Sequence, residues 1–323
     1  MRAPFSLGVL VVVATAHLAT SALAQEYPAR AVKIIVPFGA GGPADVYARF
    51  VGHQLSAVLK QPFVIENRPG GGAIIGTEEV ARSAPDGYTL LMMSNTHTTN
   101  ETLIAKKPYQ LMRDFVPVAP INSSDLVVVV HPSVPAKTLK EFIALAKSKP
   151  GGLHYASSGP GTPYHMAGEL FKAMSKTDIV HVPHRGSGEA RSAVLGGHIE
   201  MMIDAVSTMA PNAQAGKVRA LGTTGAKRST VLPEVPTVSE AGVPGYDAVI
   251  WLGIMAPKGT PQKVVDKLNT EINKVLVKPD VKKAWAEQGV LPMVMKPSEF
   301  GAYLRDDITK WAKVVQISGA KVE

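Results

Sequence analysis

The feature that most constrains this chain is a regular alternation of short apolar segments with helical segments, joined by loops rich in glycine and proline. Residues 32–36, 63–65 and 89–93 are short apolar runs typical of buried strands. Helices are predicted between them, the second over 74–84. The apolar face of the first helix is expected to consist of Val46, Phe50, Val51, Leu55, Val58 and Leu59. This order predicts a mostly parallel α/β sheet with helices on both faces.

The same alternation returns further along the chain. Strands are predicted at 153–156, 179–182, 199–203 and 218–223, and helices at 139–148, 164–174 and 188–195. The continuous apolar runs 127–130 and 249–256 predict two strands that cross between lobes. Helices are expected at 264–276, 279–287 and 297–318. We therefore expect lobe 1 to comprise 25–124 plus 249–323 and lobe 2 to comprise 125–248, with a cleft between the carboxyl ends of their strands.

The first 24 residues predict a secretory signal peptide. Arg2 gives a positive start, residues 7–16 form a short apolar run, and Ala22-Leu23-Ala24 is a small-residue cleavage site. The apolar run is shorter than the ~20 residues that span a bilayer, which disfavours an uncleaved anchor. We therefore expect cleavage after Ala24. Because the exported chain has no cysteine, we expect its destination to be a bacterial periplasm, where the fold has to manage without disulfides.

The charge and composition exclude several classes of function. The formal net charge is +8, but lysines and arginines are scattered and aromatic residues make up only 6% of the chain. Nucleic-acid binding needs a basic stripe or an aromatic stacking platform, and neither is present in the sequence. We therefore expect a solvated basic surface and no nucleic-acid partner.

Two glycine-rich loops each join a predicted strand to a predicted helix. They are Phe38-Gly39-Ala40-Gly41-Gly42-Pro43-Ala44-Asp45 and Ala156-Ser157-Ser158-Gly159-Pro160-Gly161-Thr162-Pro163. Small residues let backbone N–H groups approach a ligand, and a helix start favours negative charge. Thr162 is the predicted N-cap of its helix. Each loop alone is compatible with an ordinary tight turn, but the pair on opposite lobes suits a ligand with a carboxylate at each end.

Polar residues near the predicted strand ends are further candidates. Asp204 follows strand 199–203, where it could line the cleft or cap a helix, and Asn95 and Thr96 follow strand 89–93. Asp45 either stabilises its own helix or faces the cleft, where it would favour an ammonium group or an ordered water. His165 stands in a first helical turn, which disfavours imidazolium, so we expect a neutral donor to a ligand or a capping contact.

No catalytic or metal motif is present. Neither loop has the Gly-Lys-Ser/Thr of a phosphate-binding loop or a dinucleotide fingerprint, and there is no Gly-x-Ser-x-Gly elbow. Ser158 and His165 could be imagined as a nucleophile and its base. His181 and His184 fall on opposite faces of a strand and have no third ligand in the sequence. We predict no catalytic residue, no metal and no cofactor.

Several ordered motifs resemble the Bug family, the extracytoplasmic solute receptors of tripartite tricarboxylate transporters. The likeness covers essentially all of the chain after residue 24. The matching stretches are Tyr27-Pro28, Val36-Pro37-Phe38, Gly41-Gly42-Pro43-Ala44-Asp45, Val64-Ile65-Glu66-Asn67-Arg68-Pro69-Gly70, Ala84-Pro85-Asp86-Gly87-Tyr88-Thr89-Leu90-Leu91, Tyr155-Ala156-Ser157-Ser158-Gly159, Gly161-Thr162, His165-Met166-Ala167-Gly168-Glu169, His181-Val182-Pro183 and Leu232-Pro233-Glu234-Val235-Pro236-Thr237.

The resemblance implies a two-lobed, type II-like periplasmic-binding-protein fold that closes on a small carboxylated solute. In the family, backbone groups and waters of the two loops hold the carboxylates, which would place residues 39–42 in one jaw and 157–162 in the other. Lateral contacts would come from His165, Asp204 and the turn Ser94-Asn95-Thr96. Arg68 is expected to have a structural role, because it precedes Pro69 in a turn. The family usually has Tyr-Lys where this chain has His184-Arg185, a departure that would favour a more anionic or aromatic solute.

The favoured function is thus that of a periplasmic receptor for a di- or tricarboxylate or an aromatic carboxylate. We expect it to act as a monomer and to contact membrane transporter subunits transiently. Two alternatives stay open at this point. The closed form could be read by a signalling kinase, or Ser158 and His165 could act in a periplasmic hydrolase.

Overall fold

A computed structural model describes residues 27–320, so the predicted signal peptide lies outside the described residues. The first part of the fold begins at Tyr27 and ends before the first crossing strand. Its elements are β1 (Val32–Val36), α1 (Pro43–Leu59), β2 (Phe63–Asn67), a 3₁₀ turn (Gly71–Ala73), α2 (Ile74–Ala81), β3 (Thr89–Ser94), α3 (Asn95–Leu103) and α4 (Leu111–Asp114).

The rest of the chain builds the second lobe and then returns to the first. The elements are β4 (Phe115–Val130), α5 (Leu139–Ser148), β5 (His154–Ser157), α6 (Pro163–Ser175), β6 (Val180–Pro183), α7 (Ser187–Leu195), β7 (Met201–Ala205), α8 (Val206–Gln214), β8 (Arg219–Thr223), β9 (Val249–Pro257), α9 (Gln262–Leu276), α10 (Pro279–Ala286), β10 (Val290–Pro292) and α11 (Pro297–Ser318). In the described part of the chain, no helix combines the length and apolar character needed to cross a bilayer.

The strands form one path through both lobes. Their order is β2-β1-β3-β9-β4-β7-β5-β6, with β8 and β10 also paired to β4. The pairs β1–β2, β1–β3, β5–β6 and β5–β7 are parallel, as the alternation predicts. The crossing strands β4 and β9 pair antiparallel with every neighbour they have. Each lobe is therefore a small parallel sheet with an antiparallel crossing strand on one side.

Strand β4 is longer than the predicted strand 127–130. Its first half was not predicted because it contains two prolines. Phe115 to Asp125 pair with β9, with register shifts after Pro117 and Pro120. Leu126 to Val130 pair instead with β7 and β8. Prolines lack a backbone N–H and are normally confined to strand edges and bulges, so this half does not resemble a strand in the sequence. The partner exchange between Asp125 and Leu126 marks the passage from one lobe to the other.

The two crossings are joined to each other by one buried threonine. Thr224 Oγ1 accepts a hydrogen bond from the Leu126 N–H at 2.8 Å and donates to the Ala248 carbonyl at 2.5 Å. The Thr224 side chain is fully buried. The chain entering the second lobe and the chain leaving it are thus held side by side at the point where both cross.

The apolar face predicted for α1 is partly wrong. The residues that pack inward are Ala44, Tyr47, Ala48, Val51 and Leu55. Val46 and Val58 are 51% and 44% exposed, and Phe50 and Leu59 are only half-buried. Apolar residues occur on more than one side of this helix. The side that carries the small alanines faces inward, because small side chains let the helix lie close to the sheet. Four short helices and strands were not predicted: α3, which replaces a predicted turn, α4, α8 and β10.

Helix α11 packs against both lobes. Phe300 and Leu304 belong to a cluster of first-lobe residues around β3 and β9. Trp311 and Val314 lie in the core of the second lobe with Leu126, Tyr155 and Phe171. The predicted boundaries assign all of 249–323 to lobe 1, whereas the contacts of Trp311 and Val314 are with lobe 2. The helix therefore connects the two cores independently of the crossing strands.

We expect Trp311→Ala to lower the free energy of unfolding by roughly 3–5 kcal/mol, because it leaves a large cavity in the second-lobe core. Ile317→Ala, which changes a 62% exposed residue of the same helix, should stay within about 0.5 kcal/mol of wild type. Urea unfolding measures both. Equal effects of the two variants would contradict the placement of α11 in the second core.

Candidate functional site

A cavity of about 660 Å³ lies between the lobes, where the carboxyl ends of parallel strands meet. Four segments that lead from a strand to a helix approach it: the β1–α1, β5–α6 and β6–α7 loops, and the turn 69–73 between β2 and α2. The lobes come close together at its edges: a Cβ on Gly42 would lie 3.6 Å from Ser187 Oγ, and a Cβ on Gly72 would lie 3.5 Å from the Pro160 carbonyl oxygen. Strand β9 contributes the apolar side chains of Ile250 and Leu252 to the wall.

The β1–α1 loop is held in shape by Asp45. Its Oδ2 accepts a hydrogen bond from the Gly41 N–H at 2.9 Å, and its Oδ1 lies 2.9 Å from Arg49 Nη2. Gly41 has a φ of 78°, which favours glycine at this turn. Burial opposes ionisation of Asp45, but the bonds from Arg49 and Gly41 hold the pKa of its carboxyl below the usual value. Asp45 therefore fixes its own loop through Gly41, a role that was not predicted, and pairs with Arg49 on its own helix.

The β5–α6 loop is also fixed by its own side chains. Thr162 Oγ1 donates to the Gly159 carbonyl at 2.7 Å, and Ser157 Oγ accepts from the Gly159 N–H at 3.1 Å. His165 Nδ1 accepts from the Gly161 N–H at 3.1 Å. Thr162 is at the N-cap position, but its side chain makes no capping hydrogen bond to the helix. The loop is thus stabilised from within.

Behind this loop, His165 and His181 form a buried stack. Their ring centroids are 4.1 Å apart, and Tyr155 stacks on His181 at 4.9 Å. His181 Nε2 lies 2.6 Å from Ser157 Oγ. Burial lowers the pKa of His165 to about 4 and that of His181 to about 3, with further lowering of the second by His165. Both rings are therefore neutral at pH 7, and they support the loop from the side away from the cavity.

The β6–α7 loop forms a further wall of the cavity. Of its residues, only His184 was predicted to belong to the binding site. The His184 N–H donates to the Ser157 carbonyl at 3.0 Å, which holds this loop beside the previous one. His184 Nδ1 lies 3.1 Å from the Val182 carbonyl, and the Arg185 N–H donates to Glu189 Oε2 at 3.1 Å. Gly186-Ser187-Gly188 directly after a strand has the same small-residue character as the two predicted loops, so the sequence held a signal for it.

Helix α2 starts uncapped at Ala73, but it continues directly from the 3₁₀ turn. Three other helices begin at the cavity directly from a loop and without a side-chain cap. Their N-cap residues are Gly42, Thr162 and Gly186, and none makes a side-chain hydrogen bond to its helix. Helix α3 differs, because Ser94 Oγ accepts from the Thr96 N–H at 3.2 Å and caps it. The first N–H groups of a helix have no partner within it and carry partial positive charge. Three such starts around one cavity are the arrangement that suits an anion.

The structure divides the predicted site residues into two sets. Those that line the cavity are Phe38, Gly39, Ala40, Gly42, Ser94, Ser158, Gly159, Thr162 and His184. Those that do not line it are Gly41, Asp45, Asn95, Thr96, Ser157, Gly161, His165 and Asp204. Contact with a ligand stays a prediction for both sets, but only the first set has direct access to the cavity.

The second set lies behind the wall for identifiable reasons. Asn95 Nδ2 donates to the Val249 carbonyl at 2.9 Å, which ties α3 to the crossing strand, and Thr96 is buried in the first turn of α3. Asp204 is fully buried, with Arg191 Nε at 2.5 Å from Oδ2 and the Ala205 N–H at 2.8 Å from Oδ1. Asp204 follows the expected strand end, but its side chain faces α7 and not the cleft.

Several lining residues were not predicted. They are Pro37, Pro43, Ala44, the turn 69–73, Pro160, Pro163, Tyr164, residues 185–189, Ile250 and Leu252. The run Gly70-Gly71-Gly72 was not predicted as part of a site, although three successive glycines with positive φ allow a close approach. Ile250 and Leu252 gave no signal, because an apolar strand residue at a cavity and one in a core are alike in sequence.

The hydrolase hypothesis requires a bond between Ser158 and His165. In residues 27–320 no hydrogen bond joins them, and the Nδ1 acceptor of His165 is occupied by the Gly161 N–H. Ser157, the neighbouring serine, contacts His181 but is fully buried. The geometry therefore provides no accessible serine paired with a base at this loop.

Comparison with known proteins gives one consistent result. The family model described as the tripartite tricarboxylate transporter family receptor matches residues 47–320. Protein BugT of Bordetella pertussis is 38% identical over 315 residues, which are 97% of each chain. The resemblance predicted from the ordered motifs is confirmed.

Solved structures agree with these sequence matches. R. palustris Rpa4515, solved with adipate, has a TM-score of 0.88 and 33% identity, and the match covers 92% of this chain and all of that one. MatC from Rhodopseudomonas palustris, solved with malate, has a TM-score of 0.84 and 33% identity, covering 90% of this chain and all of that one. The predicted fold class is confirmed.

The buried histidine His165 predicts a pH effect on stability. An unfolded histidine titrates near pH ~6.5, so between pH 4 and 6.5 the unfolded chain binds more protons than the folded one. The contribution of His165 therefore lowers the free energy of unfolding as the pH falls from 7 to 5. We expect His165→Asn, which keeps an acceptor near the Gly161 N–H, to reduce this loss by roughly 1–2 kcal/mol.

Denaturant titrations at pH 7 and pH 5 measure this difference. His53→Asn, which changes a solvent-exposed histidine on α1, is the matched control and should keep the wild-type pH dependence. A wild-type dependence in His165→Asn as well would contradict the assignment of a buried neutral imidazole.

Proposed function

Because this chain belongs to the tripartite tricarboxylate transporter receptor family, we propose that its cleft closes on a small carboxylated solute and delivers it to a transporter of that type. Family members are periplasmic solute-binding receptors. The protein binds its solute without changing it chemically, and it needs no cofactor. Relatives of the same fold have been solved with adipate and with malate, which supports a carboxylate as the solute.

The observation that carries this proposal is the meeting of three uncapped helix starts at one cavity. Gly42, Thr162 and Gly186 begin helices whose first N–H groups lack a side-chain partner. A carboxylate oxygen accepts such hydrogen bonds, and charge assistance makes them stronger than bonds to a neutral oxygen. A neutral solute would not use the partial positive charge at these three positions.

We assign the two jaws to the two lobes. Residues 39–42 hold the solute from lobe 1, and Ser158, Gly159 and Thr162 hold it from lobe 2. Phe38, Ser94 and His184 supply lateral contacts. The residues behind the wall, among them Asp45, His165 and Ser157, position these loops without touching the solute.

Closure takes place about the two crossing strands. Lobe 1 comprises 25–124 and 249–323 and lobe 2 comprises 125–248, apart from the second half of α11. The crossings at Asp125–Leu126 and at Ala248 are held together by Thr224, so both bend at the same level. The solute bridges the jaws and stabilises the closed form, which membrane subunits then recognise.

We further propose that residues 1–24 direct export, with cleavage after Ala24, and that the mature receptor acts as a monomer in the periplasm. Its contacts with the transporter subunits are transient, since the receptor has to leave after delivery.

Thermal unfolding against a panel of mono-, di- and tricarboxylates and aromatic acids tests the function. A ligand present at about 100 times its Kd adds about 2.7 kcal/mol to the free energy of unfolding, which raises the Tm by several degrees. We expect at least one member of the panel to do so, whereas neutral sugars of similar size should not. A panel without effect, on protein shown by mass spectrometry to carry no co-purified solute, would contradict the proposal.

Thr162→Ala tests the lobe 2 jaw. It removes the bond from Thr162 Oγ1 to the Gly159 carbonyl, which is worth about 1 kcal/mol, so we expect the Kd for a stabilising ligand to rise about fivefold in titration calorimetry. Thr162→Ser should retain most of the affinity. Thr138→Ala removes a threonine that caps α5 and does not line the cavity, so it should lower stability but not affinity. Unchanged affinity in Thr162→Ala would count against this loop.

A further inference from the structure

The wall of the cavity contains very few charges. Among the residues described as lining it, the side chains with a formal charge at pH 7 are Arg185 and Glu189, both on the β6–α7 segment. The two glycine-rich loops act on an anion only through backbone groups and hydroxyls. The charge of the site is therefore concentrated in one segment of lobe 2.

The guanidinium of Arg185 forms no ion pair with a carboxylate of residues 27–320. Glu189, its nearest acidic neighbour in sequence, uses Oε2 to accept a bond from the backbone N–H of Arg185 at 3.1 Å. Other arginines behave differently: Arg68 pairs with Glu66 and Glu79, and Arg191 pairs with Asp204. Arg185 thus places at the wall of the cavity a positive charge that no ion pair among the described residues neutralises.

The segment that carries Arg185 is fixed relative to the jaws. The bond from the His184 N–H to the Ser157 carbonyl holds it beside the β5–α6 loop, and Ser187 Oγ approaches Gly42 of the opposite lobe. The same cavity exposes apolar surface from Phe38, Ile250 and Leu252. A solute inside the cavity would therefore meet three kinds of group together: backbone N–H donors, the guanidinium of Arg185 and a hydrocarbon surface.

We propose that Arg185 is a specificity-determining residue that makes this receptor select dianions, with two acid groups on a short hydrocarbon chain, over monoanions of the same length. This inference rests on the proposed function and names the substrate class of the same site. The backbone donors of the helix starts hold one carboxylate in either kind of solute. Only a second carboxylate gains from the guanidinium, which offers a two-pronged, charge-assisted contact.

Glu189 gives the proposal a second, opposite prediction. Glu189 lines the same segment of the cavity, so its carboxylate is expected to repel the second acid group that Arg185 attracts. Glu189→Gln keeps an oxygen that can accept from the Arg185 N–H and removes the negative charge. Arg185→Gln removes the positive charge from an exposed position, so neither variant is expected to unfold the protein.

Titration calorimetry with matched acids tests the inference. The probes are succinate and adipate against butanoate and hexanoate, which have the same numbers of carbon atoms. We expect Arg185→Gln to weaken the better-bound diacid about tenfold and Glu189→Gln to tighten it about threefold, with both monoacids within about twofold. Arg82→Gln, on an exposed arginine of lobe 1 outside the cavity, should match wild type throughout.

The salt dependence gives an independent reading. Raising the ionic strength should weaken diacid binding to wild type more than to Arg185→Gln, because a solvent-exposed cation is screened by salt. A merely structural role for Arg185 would not change this slope.

The outcomes separate the inference from the function on which it rests. If the wild type binds these acids and Arg185→Gln leaves the diacid affinity unchanged, or weakens diacid and monoacid equally, the inference is wrong and the receptor function stands. If the wild type binds none of them or any other carboxylate, the receptor function is overturned and the inference with it.

Discussion

The fold depends on one unbroken hydrogen-bonded strand that belongs to both lobes. Strand β4 has 16 residues and exchanges β9 for β7 and β8 between Asp125 and Leu126. Buried backbone N–H and carbonyl groups need partners, so a chain that passes between lobes through their interior has to remain in a ladder. A strand meets this requirement along its length, apart from the register shifts after Pro117 and Pro120, whereas a flexible linker would not. The relative position of the jaws therefore follows from sheet geometry.

In the proposed receptor, the cavity attracts anions mainly through the backbone N–H groups at helix starts that its loops leave without a side-chain cap. Asp45, Ser157, His165 and Glu189 bond to the backbone of their own loops, which fixes the loop shape from behind. The helix starts are left without caps on the side of the cavity. Because the donors are already oriented, a ligand carboxylate meets them without the entropic cost of ordering flexible side chains. A site of this kind recognises an acid group with few cations, and a single cation then has a large influence on the choice among acids.

Much of this arrangement could be predicted from the sequence. The strand–glycine loop–helix pattern located β1, β5, α1 and α6 and both principal loops, because small residues before a helix start are a local signal. The orientation of side chains could not be predicted in the same way. Asp204 stands at the expected strand end, but burial against Arg191 turns it away from the cleft. The first half of β4 was missed because its prolines are tolerated only through the register shifts that tertiary pairing provides, and the β6–α7 loop was missed although its glycines resemble those of the other two.

The path of α11 has a consequence for how the protein is made. The sheet of lobe 1 is incomplete without β9, which follows all of lobe 2 in the sequence, and the core of lobe 2 is incomplete without Trp311 and Val314. Neither lobe can finish its core until almost the last residue of the chain has emerged. Under the export proposed above, a polypeptide with this order of segments would stay loosely structured during translocation and fold as one unit afterwards. The order of its segments would thus delay folding until translocation is nearly over.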